Sequence, residues 1–272
     1  MSSTRSTSTT TGAGQLVEAN GIAQYVETHG TGDPLILLHG GLGSGEMFGP
    51  ILPAMADHHR VILVDLQGHG RTADIDRPFR RESFGDDLAA LIEHLGLGQA
   101  DLLGYSLGAA CSLQAAIRHP DRIRKLVLVS TACTSDGWFP EVREGMAQVG
   151  SGGFEMMRQS PAYAAYAAVA PDVDAFPALM DRTGDLLRQP FDSTEEVRAL
   201  RPPTLLVYAD ADSIPPLHAA EFFALLGGGL RDANWDGSLR PASRLAVLPG
   251  RTHYDITGSP LLAPAVVDFL DS

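Results

Sequence analysis

Cysteine is scarce, basic side chains are outnumbered, and no long apolar run occurs. With only Cys111 and Cys133 in 272 residues, the chain can build neither a disulfide framework nor a four-cysteine zinc site. Both thiols are expected as small buried hydrophobes. Lys and Arg number 20 against 33 Asp and Glu, a formal net charge of −13. Nucleic acid or an anionic membrane surface would call for the opposite balance, so neither is expected as a partner. No apolar segment approaches the roughly 20 residues that a bilayer span needs. Residues 1–14 are rich in Ser, Thr and Gly without an apolar stretch; they read as a disordered tail and not as a signal peptide. A cytoplasmic protein is the expectation.

What is present is a rhythm. The chain is 44% apolar and 19% charged, which suits one large α/β domain or a domain with an insertion. Leu16 to Glu27 alternates as one or two antiparallel edge strands around an Asn20-Gly21 turn. Short unbroken apolar runs follow at Pro34–Leu38, Arg60–Leu66, the stretch ending at Ser106, Lys125–Ser130, Pro203–Asp210 and Arg244–Pro249. Such runs fit strands buried on both faces. Helical stretches separate them: Glu46 to about Ala56, one capped by Ser83 and running to about Leu95, Leu107–Arg118, His218–Leu226 and Pro260–Leu270. Alternating strands and helices mean βα units and a mostly parallel central sheet with helices on both faces. Between Thr131 and Arg201 the alternation stops for about 70 residues, too long for a loop in a compact domain. Helical stretches at Glu141–Val149, Gly153–Gln159 and Phe176–Arg188 make it an inserted helical cap over 132–201. The core then comprises 15–131 and 202–272.

The chemistry centres on Gly104-Tyr105-Ser106-Leu107-Gly108. A strand turning sharply into a helix holds its apex residue at positive φ, and glycines on either side let strand and helix close around it. The Ser106 hydroxyl would then stand at the carboxyl edge of the sheet, with the Leu107 amide pointing into the same space. Serine is a poor nucleophile until a base takes its proton, normally a histidine oriented by a carboxylate. In a parallel sheet the loops after strand ends share one edge, so the partners are sought there. His253 follows the last strand. Asp210 and Asp212 follow the strand before it, Asp210 placed to brace the loop and Asp212 to reach the histidine. Asp136, beyond the strand ending at Ser130, is the weaker alternative. A second oxyanion donor fits the Gly41 amide in His39-Gly40-Gly41-Leu42-Gly43, where each lost donor costs about 3 kcal/mol of transition-state stabilisation.

Together His39-Gly40-Gly41, Asp65-x-x-Gly68-His69-Gly70-Arg71, Gly104-x-Ser106-x-Gly108, Asp210-x-Asp212 and Gly250-x-x-His253 resemble the α/β-hydrolase superfamily over about Leu16–Leu270. The resemblance implies an α/β-hydrolase fold with a helical cap, Ser106 as nucleophile, His253 as base and then acid, and Asp212 as its orienter. It implies hydrolysis of carboxylic esters of small, largely apolar substrates through an acyl-enzyme, with no metal and no organic cofactor. Haloalkane dehalogenases and epoxide hydrolases carry aspartate at the nucleophile position, and dienelactone-hydrolase types carry cysteine, so Ser106 argues against all three. Proline iminopeptidases continue the oxyanion motif with Gly-Pro-Gly, where this chain has Gly41-Leu42-Gly43. Lactonases, carbon–carbon-bond hydrolases and cofactor-free perhydrolases share the triad and stand as alternatives, and a ligand receptor on a hydrolase scaffold is the non-enzyme alternative. The partner implied is a small-molecule ester or lactone. Met47, Phe48 and Tyr105 are candidate pocket walls. Trp138, Met157 and Tyr163 are the cap's substrate-binding candidates, although each taken alone fits cap core better than substrate contact. His69 and Arg71 read as a structural turn.

Overall fold

A computed structural model describes residues 14–272; the tail expected over 1–14 falls outside them except for Gly14. Asn20 and Gly21 both take positive φ, +53° and +76°, as a two-residue hairpin turn requires. They fold β1 (Gln15–Ala19) back on β2 (Ile22–His29). Beyond them come β3 (Pro34–Leu38), α1 (Leu52–Ala56), β4 (Arg60–Val64) and α2 (Arg81–His94). These are followed by β5 (Ala100–Tyr105), α3 (Leu107–Arg118) and β6 (Ile123–Val129). The strands form one sheet in the order β1-β2-β4-β3-β5-β6, continued by β7 (Thr204–Ala211) and β8 (Arg244–Thr252). β2 pairs antiparallel with both neighbours, so β1 alone is an edge on that side; every pairing from β4 to β8 is parallel. α9 (Pro216–Leu225) and α10 (Leu262–Leu270) complete the core.

Strand side chains alternate between two apolar layers. Ile36, Leu38, Ile62, Leu102, Leu126 and Leu206 join the layer containing Phe84, Leu88 and Leu113 of α2 and α3. Their neighbours Leu35, Leu37, Val61, Leu103, Val127 and Leu205 join Met55 of α1 and Val266 and Phe269 of α10. Both faces are covered, which is why these strands read as continuous apolar runs. β4 lies on one side of β3 and β5 on the other, so the strand order reverses at β3. A crevice opens at such a point beyond the carboxyl ends of the strands.

Between β6 and β7 lie α4 (Pro140–Ala147), α5 (Phe154–Met157), α6 (Pro161–Val169), α7 (Phe176–Leu187) and α8 (Thr194–Arg198). The segment is pinned at its base, where Thr134 bridges Asp192 and the Ser135 amide donates to Phe191 O at 2.9 Å. α6 and α8 lie outside the three helical stretches expected there. The Ala-rich α6 has no apolar stripe to announce it, and it starts because Ser160 Oγ accepts the Tyr163 amide beside Pro161. Two expected boundaries also move. The helix expected over Glu46–Ala56 breaks into a 3₁₀ turn at Gly45–Phe48 and the short α1, since Pro50 lacks an amide proton. α2 begins at Arg81, with Arg80 as its N-cap, so Ser83 lies inside the helix. Cys111 and Cys133 are buried and unpaired. Among the described residues no helix is long and apolar enough to cross a membrane.

Candidate active site

β5 ends at Tyr105, and Ser106 turns the chain into α3 with φ +52° and ψ −113°. Holding a non-glycine residue there costs of order 1–3 kcal/mol, and the Ser106 amide's bond to Val129 O at 2.9 Å helps impose it. The flanking glycines are needed for space. A Cβ on Gly104 would lie 2.3 Å from Gly108 O, and one on Gly108 would lie 2.2 Å from Leu38 O. α3 therefore packs against β3 and β5 only because both positions lack a side chain.

Ser106, His253 and Asp212 come from three separate strand ends and meet. His253 Nε2 lies 3.1 Å from Ser106 Oγ, and Nδ1 lies 3.0 Å from Asp212 Oδ1. An ionised carboxylate only accepts, so the proton sits on Nδ1 and leaves Nε2 to accept from the hydroxyl. Asp212 is saturated with donors. Besides His253, Oδ1 accepts the Ser213 amide at 2.8 Å, while Oδ2 accepts Ser130 Oγ at 2.6 Å and the Ala209 amide at 3.0 Å. Burial pushes its pKa up, but bonds from His253, Ser130 and Ala209 outweigh this and hold the carboxyl below its ordinary value. Ser130, at positive φ immediately after β6, was not singled out in the sequence; its one signal is a place beyond a buried strand at the same edge. Asp210 instead braces the last residues of β8, accepting the Gly250 and Arg251 amides at 2.9 and 3.1 Å. Asp136 pairs with Arg143 at 2.8 Å and has no bond to His253.

A cavity of about 1040 Å³ opens over Ser106 and His253, walled on one side by β-strand loops and on the other by the segment between β6 and β7. Gly41 and Leu107 both line it, and Gly40 fits beside the Tyr105 ring only for want of a Cβ, which would sit 2.8 Å from it. Met47, Tyr105 and Trp138 line the cavity as expected. Phe48, Met157 and Tyr163 do not. Phe48 is wholly buried in the layer with Met55, because the break after the 3₁₀ turn points it inward. Tyr163 packs edge-on against Phe154 and Phe176. Met157 takes the Ser160 hydroxyl on its sulfur at 3.1 Å, and both belong to the core of the inserted segment. Trp138, Tyr105 and Tyr254 surround the imidazole, with ring centroids 5.4–5.5 Å away; Tyr254 also lines the cavity and had no signal beyond adjacency to His253.

The surrounding turn is structural. His39 Nε2 accepts the Leu66 amide at 3.0 Å and Nδ1 donates to Gly40 O at 2.7 Å, which fixes the glycine loop to the end of β4. Burial pushes the His39 pKa down to about 4 and that of His69 to about 3. Asp65 accepts the Gly45 and Arg71 amides, both at 2.8 Å, and so joins the two loops. Among the described residues no group of three or more His, Cys, Asp or Glu is arranged to hold a metal ion.

The fold and this arrangement define a hydrolase. Residues 33–179 match the family model described as alpha/beta hydrolase fold, and the chain belongs to that family. It is similar to a 2-(acetamidomethylene)succinate hydrolase of Mesorhizobium japonicum, 27% identical with 94% of each chain covered. It is also similar to a 2-hydroxy-6-oxo-2,4-heptadienoate hydrolase of Pseudomonas putida, 31% identical over 76% of this chain and 82% of that one. Among solved structures, a serine hydrolase involved in carbazole degradation superposes with a TM-score of 0.74 at 25% identity, covering 95% of this chain and 98% of that one.

Proposed function

We propose that the protein is a serine hydrolase that cleaves carboxylic esters of small, largely apolar molecules. The observation that carries the reading is the continuous hydrogen-bonded line Asp212–His253–Ser106, ending at the floor of the cavity. Ser106 attacks the ester carbonyl while His253 Nε2 takes its proton, and Asp212 supports the imidazolium that forms. The Gly41 and Leu107 amides hold the oxyanion, which collapses as His253 returns the proton to the departing alcohol. Water then attacks the acyl-enzyme, with His253 again as base. The segment over 132–201 acts as a cap that shapes the pocket, Met47, Tyr105 and Trp138 lie along the bound substrate, and residues 15–131 and 202–272 carry the machinery.

A second reading is hydrolysis of a carbon–carbon bond or an enol-lactone with the same residues. It is favoured by the 31% identity to the heptadienoate hydrolase. Turnover of a panel of p-nitrophenyl esters, lactones and vinylogous diketones by the protein and by Ser106→Ala separates the readings. Ester hydrolysis that is lost in the variant supports the first, and undiminished hydrolysis by Ser106→Ala removes it. Hydrolysis confined to diketones or lactones moves the assignment to the second.

A further inference from the structure

Arg81 opens α2 and lines the cavity with Ser106, yet it is only 8% exposed. Its guanidinium carbon stands 4.3 Å from the centroid of the Phe191 ring. That ring covers one face of the group but supplies no counter-charge. The other cationic side chains on the wall are engaged: Arg143 pairs with Asp136 and Arg188 with Asp185, each at 2.8 Å. Among the described residues no carboxylate pairs with Arg81, and its nitrogens have no hydrogen-bond acceptor. A second polar group of the same wall, Thr183 Oγ1, is buried without a hydrogen-bond partner. Burial lowers the pKa of Arg81, but a guanidinium keeps its charge in a protein.

Arg81 is mostly withdrawn from water but faces the cavity, and a cation held there without an ion partner is costly to the free protein. That cost makes sense where a ligand completes the pair. We propose that Arg81 is a specificity-determining residue that binds a carboxylate on the substrate, separate from the bond that Ser106 attacks. The planar fork of donors matches two carboxylate oxygens. One unpaired cation on a wall that also carries Glu46 and Glu144 fits a monoanion better than a phosphate dianion, which would leave charge uncompensated. The substrate class narrows to half-esters of dicarboxylic acids or their counterparts, with an apolar spacer between the carboxylate and the scissile bond. Only the identity of that bond rests on the hydrolase reading; the carboxylate contact does not.

The test compares kcat/KM for mono-p-nitrophenyl glutarate and p-nitrophenyl pentanoate, acyl chains of equal length with and without the charge. The protein is expected to prefer the glutarate, and Arg81→Met to lower the glutarate-to-pentanoate ratio about 10- to 100-fold, as losing a charged hydrogen-bonded contact implies. Arg81→Lys, which keeps the charge without the fork, should fall between them and stands in if Arg81→Met does not fold. In parallel, calorimetry of Ser106→Ala with and without Arg81→Met follows binding of monomethyl glutarate. Binding that depends on Arg81 in the absence of ester turnover sustains the carboxylate site and removes the esterase reading. Ester turnover without a preference for the anion, or a preference unchanged in Arg81→Met, overturns the proposal. So does an equal loss on both esters, which would mark Arg81 as a packing residue.

Discussion

The hydroxyl of Tyr105 donates to the main-chain carbonyl of His253 at 2.6 Å, across 148 positions of sequence. The residue before the proposed nucleophile thus holds the backbone of the proposed base. Tyr105→Phe keeps the ring, which is buried beside Gly40, and removes only this bond. A net loss of about 1 kcal/mol of stability is expected. We expect kcat to fall about tenfold with KM little changed, short of the roughly 10²-fold that a 1 Å displacement can cost. Steady-state kinetics beside thermal melting checks this, and an unaltered kcat would mean that the bond does not position the imidazole.

The two aspartates after β7 should separate cleanly. Asp212→Asn should lower kcat by about 10⁴, the scale found when a triad carboxylate becomes an amide and the imidazole loses its tautomer. Asp210→Asn should loosen the end of β8 at Gly250 and shift the melting temperature without a comparable effect on kcat. If instead Asp210→Asn is the inactive variant, the acid role passes to Asp210.

Ser130 gives Asp212 one of its four donors and faces it from a different strand end. Ser130→Gly suits the positive φ and deletes the hydroxyl; Ser130→Ala deletes the hydroxyl and keeps the strain. Both should lower kcat by about tenfold, since a hydrogen bond to a charged group is worth about 1.5–3 kcal/mol and neighbouring donors compensate in part. Losing that donor should also raise the Asp212 pKa, so the acid limb of the pH–rate profile moves to higher pH. An unmoved limb would count against this role.

Gly108→Ala should fail through packing alone. Its Cβ would meet the Leu38 carbonyl at 2.2 Å, a main-chain atom that cannot swing aside. A destabilisation of at least about 3 kcal/mol is expected, at the upper end for overpacking. Soluble yield and melting temperature report it, and a variant as stable as the parent would show that α3 can shift away from β3.

Acid should unfold the protein through its neutral histidines. His39 and His69 titrate at about 4 and about 3 in the folded chain against 6.5 when exposed. The unfolded chain therefore binds protons that the folded chain refuses. Their contribution is fully present above pH 6.5 and is lost as pH falls from there toward 4, at up to about 1.4 kcal/mol per pH unit for each histidine. Melting temperatures measured from pH 7.5 down to 4.5 should decline steadily, and a flat profile would contradict the buried neutral state.

The apolar runs and their spacing were enough to place every parallel strand within a few residues, because strands covered on both faces must be apolar throughout. Gly104, Ser106 and Gly108 were legible for an equally local reason: a strained turn tolerates few residue types. The order of strand ends also singled out His253 and Asp212, since a parallel sheet delivers its loops to one edge. Other features have no local signature. Whether Phe48 or Met157 faces the cavity depends on where a helix breaks or what packs behind it. Ser130 matters only because β6 lies beside β7, and Arg81 reads as an ordinary surface charge at the start of a helix until the inserted segment folds over it. Covalent neighbours decide conformation, whereas burial and the pairing of charge depend on contacts that only the assembled chain creates.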